Sequence, residues 1–269
     1  RKENLTMKIQ ELKTFVVANP PPHHGGPYWV FLKLTTDDGI RGYGEVYGVP
    51  FSPAKVTMLI EDVVERYVIG TDPFQTEKLW RRIYSGGYAQ HPDLTTMGLL
   101  SGIEMACWDI VGKALNQPIY NLLGGQIHEK LRSYTYLYAA PVANPVEGAR
   151  ATSVHEDPIV APQRAAAYAD QGFTAVKFDP IDRMTPLDPR QLSLQVLDNA
   201  ELVTKNVREA VGSRCDLLIG THGQMTTSSA IRLAKRLEPF DPLWFEEPVP
   251  PENRTEMARV AHHTSIPVA

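Results

Sequence analysis

The chain has 269 residues, 43% of them hydrophobic and 22% charged, with a mean hydropathy of −0.24. That is the balance of a globular protein with one large domain or two smaller ones. A net charge of −4 without a basic stripe argues against nucleic acid as a partner. No run of about 18 consecutive apolar residues predicts a membrane span. The opening residues Arg1 to Thr6 are polar and lack the apolar stretch of a secretory signal. Met7 is expected to be the natural start, with residues 1–6 an extension. Cys107 and Cys215 sit far apart among apolar neighbours. They are expected to be buried free thiols in a reducing cytoplasm, not a disulfide.

The predicted elements begin with a strand over 7–18. Two strand-like runs follow within 28–46, around Asp37-Asp38-Gly39. Asp-Gly supplies the positive φ that a tight hairpin turn needs. Helices are expected over 54–69, 74–84 and 95–115, where apolar residues recur at 3–4 spacing. Strands followed by helices make residues 7–130 a small α+β unit.

From residue 131 the pattern changes. Strands are expected at 131–140, 172–178, 215–220, 242–247 and 265–269. Helices at 160–171, 189–212, 226–237 and 252–263 separate them. Short apolar strands alternating with helices predict a parallel sheet. The Gly-rich phosphate turn of a dinucleotide fold is missing. A closed eight-unit barrel takes about 250 residues, and only about 140 follow residue 130. The sheet is therefore expected to be open, or the sequence to end before the protein does.

In a parallel barrel the reactive groups project from the C-terminal ends of the strands. Alternation along a strand puts every second side chain on one face. This places Lys177 with Asp179, Gly220 with His222, and Trp244 with Glu246 on the inner face of three neighbouring strands. Glu247 is expected to point outward, into a salt bridge with a helix. A rim of Lys, His and carboxylates suits proton abstraction next to a carboxylate. A divalent metal on oxygen ligands would supply the electrophile, and Mg²⁺ prefers carboxylates and water.

Three motifs carry a resemblance. LSGIEMACWDIVGKALNQPIYNLLGG (100–125) resembles the signature helix of the mandelate racemase/muconate lactonizing branch of the enolase superfamily. WFEEPVPPE (244–252) resembles that branch's second metal-ligand strand. GFTAVKFDP (172–180), with the stretch from Leu217 to Pro248, is similar to acid-sugar dehydratases of the gluconate and galactonate type. The superfamily is an established example of a Lys or His base paired with Mg²⁺.

The resemblance implies an enolase-like α/β fold. An N-terminal α+β capping domain (7–130) would precede a TIM-type (β/α) barrel (131–269), of which only the first four to five units are present. It implies a cytoplasmic hydro-lyase that dehydrates an aldonate or aldarate to a 2-keto-3-deoxy acid with Mg²⁺. Its partner would be a small-molecule sugar acid, and homo-oligomers are the family's habit. Glu246 would be a metal ligand. Lys177 would sit beside the substrate carboxylate or act as base. His222 would protonate the departing β-hydroxyl or serve as base. The cap would choose the substrate through the loops Asn19 to Tyr28 and Val46 to Ser52. His23, His24 and Tyr47 on those loops are candidates for substrate contact. The family's third carboxylate ligand, on the fifth strand, and a later His–Asp pair come after the position of Ala269.

Two departures stand out. Racemases of the branch carry Lys-x-Lys on the second strand, and here the second position is Asp179. That favours one-sided elimination. The family also places Asp or Glu two residues before the histidine as first metal ligand, and here that position is Gly220. Water can fill the gap, Asp179 can supply the carboxylate, or metal-dependent chemistry has been lost. The first two are favoured, and Gly220→Asp is then expected to tighten Mg²⁺ binding.

The remaining candidates have structural readings. His91 is expected to be an inert loop residue. His262 and His263 suit a helix C-terminus. Asp109 and Lys113 form an i, i+4 pair. Other reactions remain open at this point: isomerisation or cycloisomerisation on the same fold, or a binding protein that has lost catalysis.

Overall fold

A computed structural model of the protein describes residues 7–20, 23–87, 93–138, 154–181 and 191–269. The chain divides into two compact units, Arg1–Glu129 and Lys130–Ala269. His91 lies outside the described residues.

In the first unit β1 (Ile9–Ala18), β2 (Tyr28–Thr36) and β3 (Arg41–Val46) form an antiparallel sheet in the order β1-β2-β3. The turn between β2 and β3 is the expected one. Gly39 adopts φ 87°, and the Thr36 hydroxyl bonds to Asp38. Three helices follow: α1 (Pro53–Tyr67), α2 (Thr76–Tyr84) and α3 (Leu94–Ala114), with a short α4 (Ile119–Leu122) after them. Each major helix lies within two residues of its expected span, the uncertainty usual for helix ends.

The helix α3 lies flush on β3. A Cβ at Gly42 would run into the Ala106 carbonyl, and one at Gly44 into that of Gly102. The glycines of GYGEV are what allow this approach. Asp109 then accepts from the Tyr43 amide at 2.9 Å and from Lys113 at 2.7 Å, and Lys113 also donates to the Arg41 carbonyl. The pair therefore pins helix to strand. By length and composition alone α3 could cross a membrane. It holds no unbroken run of about 18 apolar residues, since Glu104 and Asp109 interrupt it. Its buried side chains Leu99, Leu100, Ile103, Ala106, Cys107 and Ile110 belong to the unit's core, with Leu32, Leu34 and Ile60.

The second unit is built on a parallel sheet, β4 (Thr135–Tyr136), β5 (Ala175–Phe178), β6 (Asp216–Gly220) and β7 (Trp244–Glu246), in that order. A fifth strand begins as a parallel bridge between Phe245 and Val268. Helices α5 (Val160–Asp170), α6 (Leu194–Val211), α7 (Thr227–Leu237) and α8 (Arg254–His262) alternate with the strands. Caps start three of them: Ser193, Thr226 and Asn253 side chains each accept an amide of the first turn. The strands bury Phe178, Leu217 and Phe245 completely. Each such side chain contributes about 1.5–3 kcal/mol. This is the expected α/β parallel arrangement, an open part of a barrel. Among the described residues the first strand covers Thr135–Tyr136 of the expected 131–140, and Leu137 N also donates to the Lys177 carbonyl at 3.0 Å.

Candidate active site at the strand ends

Lys177 leaves the C-terminal half of β5 and is 4% exposed. Its ammonium bonds to Glu246 at the end of β7, and stands 5.0 Å from the Tyr136 ring centroid and 5.9 Å from that of Tyr134. Trp244 Nε1 donates to the other Glu246 oxygen at 3.0 Å, so both carboxylate oxygens have partners. Burial pulls the Lys177 pKa down, but hydrogen bonds to Glu246 and Tyr136 outweigh it and the net shift is upward. Lys177 is therefore an ammonium in this arrangement. Burial, with the nearby Asp179 charge, pushes the Tyr136 hydroxyl up to about 12.

Next to this pair lies a second one. His222 Nε2 is 2.9 Å from Asp179 Oδ2. Its Nδ1 is 3.8 Å from Glu247 Oε2. The second Asp179 oxygen, Oδ1, is buried and makes no hydrogen bond. Gly220 stands against it: a Cβ there would lie 2.5 Å from Asp179 Oδ1, 3.0 Å from Lys177 Cε and 3.4 Å from the Tyr136 hydroxyl.

The backbone explains how these groups meet. His222 and Glu247 both adopt left-handed φ, 54° and 48°. Such conformations cost about 1–3 kcal/mol each outside glycine and persist where the surroundings fix them. Here Gly223 N donates to Glu247 O at 2.7 Å, and the buried Thr221 hydroxyl bonds the carbonyls of Glu246 and Glu247.

The expected rim of Lys177, Asp179, Gly220, His222 and Glu246 is brought together. Glu247 is a correction. Among the described residues its carboxylate stands by His222 and pairs with no helix residue, because the left-handed φ ends the alternation on which the outward expectation rested. Tyr136 and Thr221 were missed, and Trp244 was placed on the inner face without a role. Tyr134, Tyr136 and Tyr138 recur at every second position, and that pattern was the available signal. A side chain at Gly220 would meet the Asp179 carboxylate, which would have to shift to admit it.

The three cap residues lie in the first unit. His23 has φ 58° and donates through Nδ1 to the Asn19 carbonyl at 2.5 Å, which spends that nitrogen on its own loop. His24 is exposed, and its carbonyl accepts from the Asn19 amide at 2.8 Å. Tyr47 is 77% exposed. Tyr47, Tyr28, Trp29 and Glu45 line a cavity of about 180 Å³.

Among the described residues no three His, Cys, Asp or Glu side chains cluster at metal-binding spacing. The donor chemistry nonetheless suits a hard cation. Mg²⁺ is usually held by one or two carboxylates, with water and substrate oxygens completing its shell. The rim offers Glu246 and the unpartnered Asp179 Oδ1.

Residues 22–124 match the mandelate racemase/muconate lactonizing enzyme N-terminal domain, and residues 161–269 match the enolase C-terminal domain-like family. The chain belongs to the mandelate racemase/muconate lactonizing enzyme family of the enolase superfamily. A family protein from Burkholderia SAR-1 has a crystal structure that superposes with a TM-score of 0.90 at 56% identity, over 97% of this chain and 63% of that one. One from Labrenzia alexandrii DFL-11 gives 0.90 at 54% identity, over 97% of this chain and 64% of that one. The D-galactonate dehydratase of Xanthomonas oryzae pv. oryzae (strain PXO99A) is 34% identical over 263 residues, which are 98% of this chain and 61% of the relative. The chain thus spans about three fifths of the curated relatives' length.

Proposed function

We propose that the protein is a hydro-lyase that removes water from an aldonic or aldaric acid to give a 2-keto-3-deoxy acid. The observation that carries this reading is the pair of dyads on one rim, Lys177–Glu246 beside His222–Asp179. Similarity to D-galactonate dehydratases supports the substrate class. Glu246 and Asp179 would hold Mg²⁺, which when bound supplies positive charge to stabilise the enediolate form of the substrate carboxylate. Lys177, held as an ammonium, orients that carboxylate. This favours the first of the two roles the resemblance allowed it. The α-proton would leave to Lys177 in its neutral form, or to a histidine that the resemblance implies on a later strand of the barrel. His222 is held by Asp179 with its ring at the rim. It delivers a proton to the β-hydroxyl as the C–O bond breaks. The buried free thiols Cys107 and Cys215 support a reducing compartment such as the cytoplasm.

The test is a screen of sugar acids for 2-keto acid formation with Mg²⁺, repeated with His222→Asn. Loss of about 10²–10⁴-fold in turnover is expected from a removed general acid. Full activity in the variant would refute the role of His222. A second reading, a binding protein without catalysis, rests on Gly220. It is favoured if sugar acids raise the melting temperature but no keto acid forms.

A further inference from the structure

Asp179 Oδ1 is the one buried side-chain atom at the rim, among the described residues, that has no hydrogen-bond partner. An unpaired buried carboxylate oxygen is costly. It lies where a side chain on Gly220 would have to stand, 2.5 Å from a Cβ at that position. The neighbouring strands β5 and β6 are in parallel register, with Lys177 opposite Leu218 and Phe178 opposite Ile219. Asp179 and Gly220 each follow one step on. A carboxylate arriving from β5 can therefore occupy the space of one arriving from β6, and in this position it would be displaced by a side chain at 220. Oδ2 of the same carboxylate holds His222.

We infer that Asp179 and Gly220 are an exchanged pair: the carboxylate that binds a divalent cation here comes from β5, and glycine on β6 makes room for it. Asp179 thereby has two tasks, offering Oδ1 to the cation and fixing the His222 ring with Oδ2. The inference deepens the proposed Mg²⁺-assisted reading and rests on it. Its test, however, needs no sugar acid, so the two can fail separately.

The experiment titrates the full chain with Mn²⁺ alone and follows the free Mn²⁺ signal by electron paramagnetic resonance, with circular dichroism to confirm folding. Asp179→Asn, which keeps the shape, is expected to weaken Mn²⁺ binding by about tenfold or more. Gly220→Ala should weaken it as well, because the methyl displaces Oδ1. Gly220→Asp alone should give no tightening, and the double exchange Asp179→Gly with Gly220→Asp should return affinity to within about threefold of the parent. No Mn²⁺ uptake by the parent, or an unchanged affinity in Asp179→Asn, would overturn the inference. So would tightening by Gly220→Asp alone, or a folded double exchange that binds no better than Asp179→Asn.

Discussion

The two ends of the parallel sheet are built on opposite terms. At the N-terminal end two arginines are fully spent on holding the chain. Arg132 donates to the Thr174 hydroxyl at 2.8 Å, to the Thr174 carbonyl at 2.6 Å and to Asp216 at 2.6 Å. Arg208 reaches the carbonyls of Phe240, Gly212, Cys215 and Asp241, all between 2.8 and 3.0 Å. At the C-terminal end the sheet instead buries an ammonium, leaves Asp179 Oδ1 unpaired and bends two non-glycine residues into left-handed backbone. One end gains stability from its polar groups. The other spends it to bring reactive groups together, the division expected of a (β/α) barrel.

That contrast can be broken from either side. The largest effect expected is on activity at the C-terminal end: His222→Asn should cut sugar-acid turnover by about 10²–10⁴-fold while leaving the melting temperature nearly unchanged. At the N-terminal end Arg208→Ala should do the opposite. Loss of its charged hydrogen bonds to four carbonyls should lower the unfolding free energy by about 3 kcal/mol in urea titrations, with turnover per folded molecule preserved. Arg132→Ala should cost about 1 kcal/mol, since its ion pair is half exposed and solvent screens it. A drop in turnover without a drop in stability for either arginine would blur the two ends.

Alkaline pH sharpens the comparison further. Lys177 and Tyr136 both have raised pKa values in the folded protein. A raised group binds its proton more tightly when folded. Its stabilisation is therefore complete below the unfolded pKa and is lost as pH climbs towards the folded one. For Tyr136 that window runs from 10 to about 12. Unfolding free energy should fall over this range, and Tyr136→Phe should flatten part of the fall. An unaltered pH profile would mean that the Tyr136 hydroxyl is not held at the rim as described. The smallest effect is expected of Glu247→Gln. At 3.8 Å from His222 Nδ1 it biases the ring without holding it, and turnover should change by less than about tenfold.

Much of this was legible in the sequence, for identifiable reasons. The Asp-Gly hairpin and the strand–helix alternation are local signals, and both elements formed where the residues demanded them. Period-two reading brought Lys177 and Glu246 to one rim because both lie inside regular strands, whereas His222 lies past the end of β6 in left-handed backbone and meets the rim at Asp179. The same rule failed one residue past Glu246. Glu247 turns with its left-handed φ, a conformation that a glutamate does not advertise. The meeting of Asp179 with Gly220 was legible only as one possibility. Whether two neighbouring strands compete for one volume depends on register and on how far the glycine lets the carboxylate approach. Gly42 and Gly44 pose the same problem in the first unit, where the close contact of α3 with β3 appears only in three dimensions.

The central claim, that this rim removes water after α-proton loss, is tested most directly by running the reaction on sugar acids with Mg²⁺ in ²H₂O and reading the product by proton NMR. The account predicts a 2-keto-3-deoxy acid carrying one solvent deuterium at C3. Recovery of intact sugar acid with deuterium at C2 and no loss of water would contradict it.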